Sequence, residues 1–269
     1  MTSKHPVALV TGASSGIGLA AATQLAAAGY TVYGTSRRGA DAGQRSFPLL
    51  ALDVTDDASV QAAIDTLQTR EGRIDLLVNN AGIGITGAAE ESSIEQVRAL
   101  FDTNVHGVVR VTNAVLPIMR AQGSGRILNV GSGLGLLPAP FSAYYSATKH
   151  ALEGYSESLD HEVRGFGIRV AVIEPGATKT GFESSTATAD RLLPAYDALR
   201  ASYQRAYDTA MAVADSADSV AETIVRAARD QHPKLRYPSG KSARQGAFAR
   251  RFLPRALLDK VLHKQFGMG

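Results

Sequence analysis

The chain has 269 residues, 45% of them hydrophobic and 20% charged, which is typical of one globular domain with a sizeable buried core. It contains no cysteine, so disulfides and thiolate metal sites are excluded, and cysteine usage says nothing about the redox compartment. The net charge of +3 is uneven, because nine lysines and arginines stand against the single acid Asp259 from Lys234 onward.

Short apolar runs alternate with longer helix-like segments along the chain. This alternation predicts an α/β fold in a single domain over residues 1–269, with a doubly wound parallel sheet between two helix layers. The predicted strands are Val7–Val10, Thr31–Thr35, Phe47–Leu52, Leu76–Asn79, Arg126–Gly131, Arg169–Ile173 and one near Lys234–Tyr237.

A glycine-rich loop, Thr11–Gly18, follows the first strand and precedes an alanine-rich helical stretch. In the spacing G-x-x-x-G-x-G, Gly12 lets the chain turn, Gly16 lets a pyrophosphate approach the backbone, and Gly18 lets the helix pack closely on the sheet. The amides of the loop, which also contains Ser14, Ser15 and Ile17, would then point at phosphate. Glycines after a strand are also plain turn formers, so the loop alone leaves nucleotide binding open.

The end of the second strand bears on the choice of dinucleotide. An NAD site needs a carboxylate there for the ribose 2′-hydroxyl, whereas an NADP site needs cations for the 2′-phosphate. The chain has Ser36, Arg37 and Arg38 and no acid. Arg37 is the better phosphate ligand, with the Ser36 hydroxyl donating and Arg38 assisting. The competing interpretation is two arginines on an exposed turn.

Tyr145 and Lys149 are four residues apart, so on a helix they project from one face. A phenol with a pKa near 10 is a poor base at neutral pH, and a neighbouring ammonium would lower that pKa toward the working range. Tyr144, at a spacing of five, faces elsewhere and is expected to pack or to form a pocket wall. A tyrosine–lysine pair by itself is usually only a helix face.

Several short motifs stand in an order and spacing that resemble the short-chain dehydrogenase/reductase family, over roughly residues 6 to 182. The stretches Ala143–Gly154 and Gly167–Thr180 look like its steroid- and retinol-metabolising branch, which implies a Rossmann-type sheet and a bulky apolar substrate. The motifs are Thr11–Gly18, Asn79–Gly82, Ser132, Tyr145–Lys149 and Pro175-Gly176.

The resemblance implies four catalytic residues. Ser132 matches the serine that bonds the substrate oxygen, although the family often has two serines where this chain has Gly131-Ser132. Tyr145 would exchange the proton, and Lys149 would assist it and hold the nicotinamide ribose. Asn104 resembles the asparagine that holds a water in the proton relay; otherwise it is a mild misfit on a helix.

The resemblance also implies contacts along a bound NADP(H). Asp53 and Val54 would hold the adenine ring. The adenine-ribose side would be lined by Asn80, Ala81 and Gly82. The nicotinamide carboxamide would be held by Pro175, Gly176, Thr178 and Thr180, with Thr180 the best side-chain contact.

The implied function is hydride transfer between NADP(H) and a small-molecule ketone, aldehyde or alcohol. The protein is expected to be a homodimer or homotetramer. Two other classes remain open: a cofactor-binding regulator without turnover, and a membrane-surface protein that uses its basic tail.

Two segments lie beyond these motifs. Residues 181–216 are rich in Ser, Thr, Ala and Tyr, and in the family this insertion covers the substrate, so a mobile lid is expected. Residues 240–269 form a basic tail with a helical break at Pro254. A basic amphipathic helix can lie on a membrane surface, but it can equally dock on the domain. The apolar residues of the tail are Phe248, Phe252, Leu257, Leu258, Val261, Leu262 and Phe266.

Other partners are not indicated by the sequence. The N-terminal ten residues lack the apolar stretch of a signal peptide, and no run is long enough for a membrane span, so a cytoplasmic protein is expected. No basic–aromatic interleaving indicates a nucleic-acid partner. No metal is expected, because the histidines lack paired ligand spacing; they are His5, His106, His150, His161, His232 and His263.

Overall fold

A computed structural model of the protein describes residues 5–39 and 45–267. Its strands, in chain order, are β1 (Val7–Val10), β2 (Thr31–Ser36), β3 (Leu49–Ala51), β4 (Leu76–Asn79), β5 (Gly84–Thr86), β6 (Gly125–Val130), β7 (Ile168–Pro175), β8 (Thr178–Lys179), β9 (Thr186–Thr188), β10 (Asp215–Ser216) and β11 (Arg236–Ser239). Its α-helices are α1 (Gly16–Ala27), α2 (Asp57–Glu71), α3 (Ile94–Phe101), α4 (Gly107–Gln122), α5 (Ala143–Val163), α6 (Asp197–Ala212), α7 (Ala217–Arg229), α8 (Lys241–Phe252) and α9 (Arg255–Gln265).

Seven strands form one parallel sheet in the order β11-β7-β6-β4-β1-β2-β3. The chain leaves β1 toward β2 on one side and returns to β4 on the other, so the strand order reverses between β1 and β4. In open α/β sheets a crevice forms at this reversal, outside the carboxyl ends of the strands. Two short pairs, β5 with β9 and β8 with β10, lie outside the main sheet.

Helices cover both faces of the sheet, and each face has its own buried core. Side chains of α1 and α7 pack on one face, among them Leu25 and Ile224. On the other face α2, α4 and α5 supply Ile64, Val115 and Leu159. The predicted three-layer, doubly wound parallel fold is therefore confirmed.

Strand lengths differ from the prediction according to how many neighbouring strands each one pairs with. The strand β3 pairs only with β2 and is shorter than the predicted Phe47–Leu52. The strand β7 pairs with β6 and β11 and extends to Pro175, beyond the predicted Ile173. The last strand begins at Arg236 rather than Lys234, because β11 is paired with the carboxyl half of β7.

The segment 181–216 folds around the helix α6. Tyr203 of α6 is buried and packs against Phe141 at a centroid separation of 5.4 Å. Leu192 and Leu199 are exposed. The segment is thus only partly packed on the domain.

The C-terminal tail is two helices separated by Pro254. It docks through buried Ala243 and Leu258, and Phe266 stacks on Tyr203 of α6 at 6.2 Å. Within the described ranges, no helix combines the length and apolarity needed to cross a lipid bilayer.

Candidate active site

The glycine loop has a backbone shape that side chains would destroy. Gly12 and Gly16 have φ angles of +65° and +55°, which residues with a Cβ rarely adopt. A Cβ on Gly18 would lie 2.3 Å from the carbonyl oxygen of Gly12, so the start of α1 packs directly on the turn. The first amides of a helix lack partners within the helix, and the Ser15 side chain makes no capping bond. The loop therefore fits an anionic phosphate.

The end of β4 is joined to this loop by Thr11. Its hydroxyl oxygen accepts the amides of Asn80 and Ala81 at 2.9 and 3.0 Å. In return, the Asn80 side chain donates to the carbonyl oxygens of Thr11 and Gly12 at 2.9 and 3.2 Å. Thr11 belongs to the glycine-rich motif, but its role in joining β1 to β4 was not predicted. The signal that could have indicated this role is a hydroxyl residue at the end of β1, where it faces the end of β4.

Arg37 and Arg38 follow β2 directly and both are exposed. The carboxyl group of Asp53, after β3, accepts the amide of Thr55 at 2.9 Å. This amide is the largest cause that lowers the pKa of Asp53, and the charge of Arg37 lowers it further. Arg37 is therefore close enough to Asp53 to act on it electrostatically, and the structure brings these two predicted residues together.

Two other predicted residues at this edge have protein partners. The Ser36 hydroxyl donates to the carbonyl oxygen of Gly39 at 3.3 Å. The side chain of Val54 is buried under α4, where a Cβ on Gly107 would lie 2.8 Å from it. Val54 therefore packs beneath this edge of the sheet, against α4.

Arg45 reaches the glycine loop from the β2–β3 connection. Its Nη2 donates to the carbonyl oxygen of Ser14 at 2.6 Å. This contact was not predicted, because Arg45 lies 31 positions from Ser14 and belongs to no motif. It adds a third cation at this end of the crevice.

Ser132 follows β6, and Tyr145 lies in the first turn of α5. The Ser132 oxygen accepts the amide of Leu134 at 3.1 Å. Burial raises the pKa of the Tyr145 phenol to about 12, and a hydrogen bond with Ser132 opposes this rise. Tyr145 is therefore protonated at neutral pH and can donate a proton. The structure thus brings the hydroxyls of Ser132 and Tyr145 together.

The replacement of the family's first serine by Gly131 has a steric cause. A Cβ at this position would lie 2.6 Å from Cγ1 of Val172 on the neighbouring strand β7. A serine at this position would therefore require the side chain of Val172 to shift.

Lys149 is buried one turn after Tyr145. Its Nζ donates to the carbonyl oxygen of Val130 at 2.9 Å and lies 5.5 Å from the centroid of the Tyr145 ring. Burial lowers the pKa of Lys149 to about 8, and the carboxylate of Glu153 opposes this effect. We expected Lys149 to lower the pKa of Tyr145. In the structure a hydrogen bond with Ser132 lowers it instead, and the Lys149 ammonium donates to Val130.

Asn104 lies in a π-helical turn, Asp102–His106, between α3 and α4, where a regular α-helix was expected. Its Oδ1 accepts the amide of Ile83 at 2.9 Å, and its Nδ2 donates to the Ile83 carbonyl at 2.9 Å and to Thr148 at 3.3 Å. The side chain thus joins the start of β5 to the helix of Tyr145. Turns of this kind are frequent at functional sites.

The segment after β7 crosses above the glycine loop. The amide of Gly176 donates to Ser239 at 3.2 Å, and the Thr178 hydroxyl donates to the Gly176 carbonyl at 2.9 Å. A Cβ on Gly16 would lie 3.1 Å from the Thr180 carbonyl oxygen. Thr180 therefore shares a groove with the loop, and Pro175, Gly176 and Thr178 precede it along the same segment. Gly16, Leu19, Thr180 and Met211 are among the residues lining its cavity of about 530 Å³.

Aromatic side chains form one wall beside Tyr145. The ring of Phe182 lies 5.9 Å from the ring of Tyr145. The Tyr144 hydroxyl points away and donates to the carbonyl oxygen of Ala89 at 3.0 Å, as its spacing predicted. Nothing in the sequence indicated this contact between Phe182 and Tyr145.

A buried ion pair attaches the segment 181–216 to the domain. Glu91 is 1% exposed and accepts two bonds from Arg200 of α6, at 2.6 and 3.0 Å. It also accepts the amides of Ala88 and Leu193 at 2.8 and 2.7 Å. The guanidinium of Arg200 and these amides hold the pKa of Glu91 at about 2. The ion pair was not predicted, because its members lie more than 100 positions apart.

The histidines bring no metal centre together. No group of three or more histidine or acidic side chains with metal-binding geometry occurs in the part of the chain that the structure describes.

The sheet, the loop at its switch point and the polar groups beside it define an α/β oxidoreductase. Residues 6–191 match the family described as short chain dehydrogenase, and the chain belongs to this family.

Two relatives illustrate the range of the similarity. The chain is 44% identical to a 3-ketodihydrosphingosine reductase of Bacteroides thetaiotaomicron over 176 residues, which are 65% of each protein. It is 39% identical to the estradiol 17-beta-dehydrogenase 1 of Rattus norvegicus over 270 residues, which are 93% of this chain and 75% of that protein. Steroid dehydrogenases are thus among its relatives.

Solved structures confirm the fold. A short-chain dehydrogenase from Streptomyces avermitilis covers 100% of both chains, with a TM-score of 0.85 and 36% identity. A 3-ketoacyl-(acyl-carrier-protein) reductase from Brucella melitensis in complex with NADH covers 86% of this chain and 95% of its own, with a TM-score of 0.72 and 28% identity. These similarities support a nicotinamide dinucleotide as the cofactor.

Proposed function

We propose that the protein is an NADP(H)-dependent oxidoreductase that interconverts a ketone or aldehyde and an alcohol on a bulky apolar molecule. The observation that supports the proposal is that Ser132 follows β6 and acts on Tyr145, while Lys149 donates to Val130 at the end of the same strand. The glycine loop follows β1 at the same, carboxyl edge of the parallel sheet. A protonated phenol beside a serine hydroxyl suits the reduction of a carbonyl group.

The chain's own groups bind the substrate and move the proton. Bound NADPH supplies the hydride. Ser132 donates a hydrogen bond that polarises the carbonyl oxygen, and Tyr145 gives that oxygen its proton. The Lys149 ammonium, one turn further along α5, would hold the nicotinamide ribose.

Asn104 would hold the water through which Tyr145 recovers its proton. Both donors of its side chain are used by Ile83 and Thr148, so a water would donate to the remaining lone pair of Oδ1. A Cβ on Gly82 would lie 3.2 Å from this oxygen, which supports a close approach there.

The preference for NADP(H) is supported by the groups beyond β2. Arg37 and Arg38 stand where an NAD site would have a carboxylate, and both are exposed. Guanidinium groups match phosphate geometry in a bidentate manner. Arg37, near Asp53, is the main ligand that we assign to the 2′-phosphate.

A bulky apolar substrate is supported by the residues around the crevice. Phe182 faces Tyr145, and exposed Leu192 and Leu199 lie in the segment above it. The names of the relatives point the same way, since one reduces a keto-sphingoid and another acts on estradiol.

A screen of NADPH oxidation over small ketones, aldehydes, long-chain keto-lipids and ketosteroids tests this function. We expect turnover with the large apolar ketones and little with small polar ones. Binding of NADPH without turnover of any carbonyl or alcohol would instead indicate a cofactor-binding regulator. The presence of both Tyr145 and Lys149 argues against that class.

Residues 181–216 are proposed to be a lid over the substrate. We expect their amides to exchange quickly in the free protein, most of all before α6, and to gain protection when NADPH and an apolar ketone are both bound. The reason is that Leu192 and Leu199 are exposed and need an apolar partner.

Hydrogen exchange followed by mass spectrometry tests this prediction about the lid. The protein with NADPH alone is the control. The amides of α6 around Arg200 should be protected in every state, because the ion pair with Glu91 holds them. Equal protection of the whole segment with and without ligands would mean a fixed wall.

A membrane-surface role of the tail is a second candidate, favoured by one observation. Phe248 and Phe252 are 63% and 61% exposed, and their rings pack together at 4.8 Å beside Arg251. Co-sedimentation of the wild type and the Phe248→Ser, Phe252→Ser variant with anionic vesicles distinguishes this role from simple docking. A cytoplasmic location and a homodimer or homotetramer remain predictions.

A further inference from the structure

A cluster of buried charges lies behind Lys149, on the side away from the crevice. Glu153, one turn further along α5, is 6% exposed, and Glu174, near the end of β7, is completely buried. Arg236 of β11 reaches both, with its Nε 2.8 Å from Glu153 Oε2 and 3.5 Å from Glu174 Oε1. The Nη1 atom of Arg236 forms an ion pair with Oε1 of Glu157 at 2.6 Å.

The carboxyl group of Glu174 lacks the hydrogen bonds that a buried anion would need. Neither of its oxygens accepts a hydrogen bond in the part of the chain that the structure describes, and the same holds for Oε1 of Glu153. A buried carboxylate without hydrogen bonds is costly and instead takes up a proton. A proton on Glu174 that is donated to Glu153 would give both carboxyl groups a partner at once.

The sum of the charges in the cluster also indicates that one carboxyl group is protonated. Lys149 and Arg236 supply two positive charges, whereas three glutamates face them. One proton makes the cluster neutral. Burial raises the pKa of Glu174 to about 8, and the neighbouring Glu153 raises it further. Because Glu153 has the closer bond with Arg236, it is the better anion of the two.

We propose that Glu174 carries the proton of an acid pair with Glu153, and that the anionic Glu153 is a positioning residue that keeps Lys149 charged. This inference rests on the proposed function for its kinetic test. The assigned role goes beyond the serine, tyrosine, lysine and asparagine of the active site itself.

The location of Glu153 shows how it can act on both Lys149 and the serine loop. Its Oε1 would lie 3.4 Å from a Cβ placed on either Gly131 or Gly135, so it lies under the turn that contains Ser132. The other charged neighbours are His150 and Glu157 of α5, Glu174 of β7 and Arg236 of β11. Among the charges near Lys149, Glu153 is the one that raises its pKa.

Two isosteric variants separate the members of the pair. In Glu153→Gln the buried ammonium of Lys149 loses its nearest negative charge. We expect the alkaline decline of carbonyl reduction to move about one pH unit lower, the smaller end of the effect of a neighbouring charge. In Glu174→Gln a neutral group replaces a neutral group, so the pH profile should stay where it is.

The pKa of Lys149, measured by NMR with labelled lysine, gives a readout that does not depend on turnover. It should fall in Glu153→Gln and stay constant in Glu174→Gln. Glu157→Gln is the matched control, because it also removes a carboxylate from Arg236, but at a half-exposed site. If substrate screening fails while these shifts occur, the acid pair stands and the proposed function does not.

Two results would overturn the proposal. One is a Lys149 pKa that is the same in Glu153→Gln as in the wild type. The other is a Glu174→Gln variant whose Lys149 pKa and pH profile move, since this would mean that Glu174 is an anion. Infrared difference spectra provide a further check, because the band of a protonated carboxyl group should vanish in Glu174→Gln.

Discussion

Replacement of Tyr145 by phenylalanine should lower the turnover of carbonyl reduction by roughly 10²- to 10⁴-fold, the range of general acid–base catalysis. The variant keeps the ring that lies against Phe182 and under the Lys149 ammonium. It loses only the hydroxyl that donates the proton. NADPH affinity should change little, so the effect belongs in kcat rather than in cofactor binding. Steady-state kinetics together with NADPH titration by fluorescence measure both quantities.

The adjacent tyrosine provides the control for this prediction. Tyr144→Phe also removes one phenol hydroxyl, but that hydroxyl is bonded to the Ala89 carbonyl. Turnover should therefore be close to the wild-type value. Near-normal turnover of Tyr145→Phe, or an equal loss in both variants, would contradict the assignment of Tyr145 as the acid.

Replacement of Arg37 by alanine should weaken NADPH binding by on the order of 1.5–3 kcal/mol, the range for a hydrogen bond to a charged group. The binding of NADH, which lacks the 2′-phosphate, should be nearly unchanged. Because Arg37 is exposed, its loss should leave the folded state intact. Calorimetric titration with both cofactors, supported by a thermal melt, measures the effect.

Arg38→Ala is the companion variant, since Arg38 is assigned only an assisting role. Its loss of NADPH affinity should be smaller than that of Arg37→Ala. If the wild-type protein prefers NADH, the two arginines are only residues of an exposed turn and do not bind the 2′-phosphate.

The layers and the sheet were predictable because hydrophobic periodicity and local turn chemistry determine them. The glycine loop requires positive φ angles at Gly12 and Gly16, and this requirement is visible in the residue types. The spacing of Tyr145 and Lys149 likewise follows from helix geometry. Each of these features depends on residues close together in the chain.

The features that could not be predicted depend on contacts between distant segments. The bond from Arg45 to Ser14 joins residues 31 positions apart, and the ammonium of Lys149 is directed to Val130 by the approach of β6 to α5. The turn at Asn104 is π-helical although its residues are compatible with an α-helix. The buried carboxyl group of Glu174, which accepts no hydrogen bond from the described residues, could not be predicted either. A glutamate near the end of a strand has no sequence signal for complete burial.

The attachment of α6 through Glu91 has a consequence for anyone who wishes to change the substrate range by exchanging the segment 181–216 with that of a relative. Glu91 belongs to the recipient, whereas Arg200 and the amide of Leu193 would come from the donor. A graft without a guanidinium at position 200 would leave the carboxylate of Glu91 without its cation, and breaking an ion pair by removing one partner is destabilising. Such a hybrid would fail for a reason unrelated to its new pocket. The graft should therefore be chosen first for its arginine and only then for its shape.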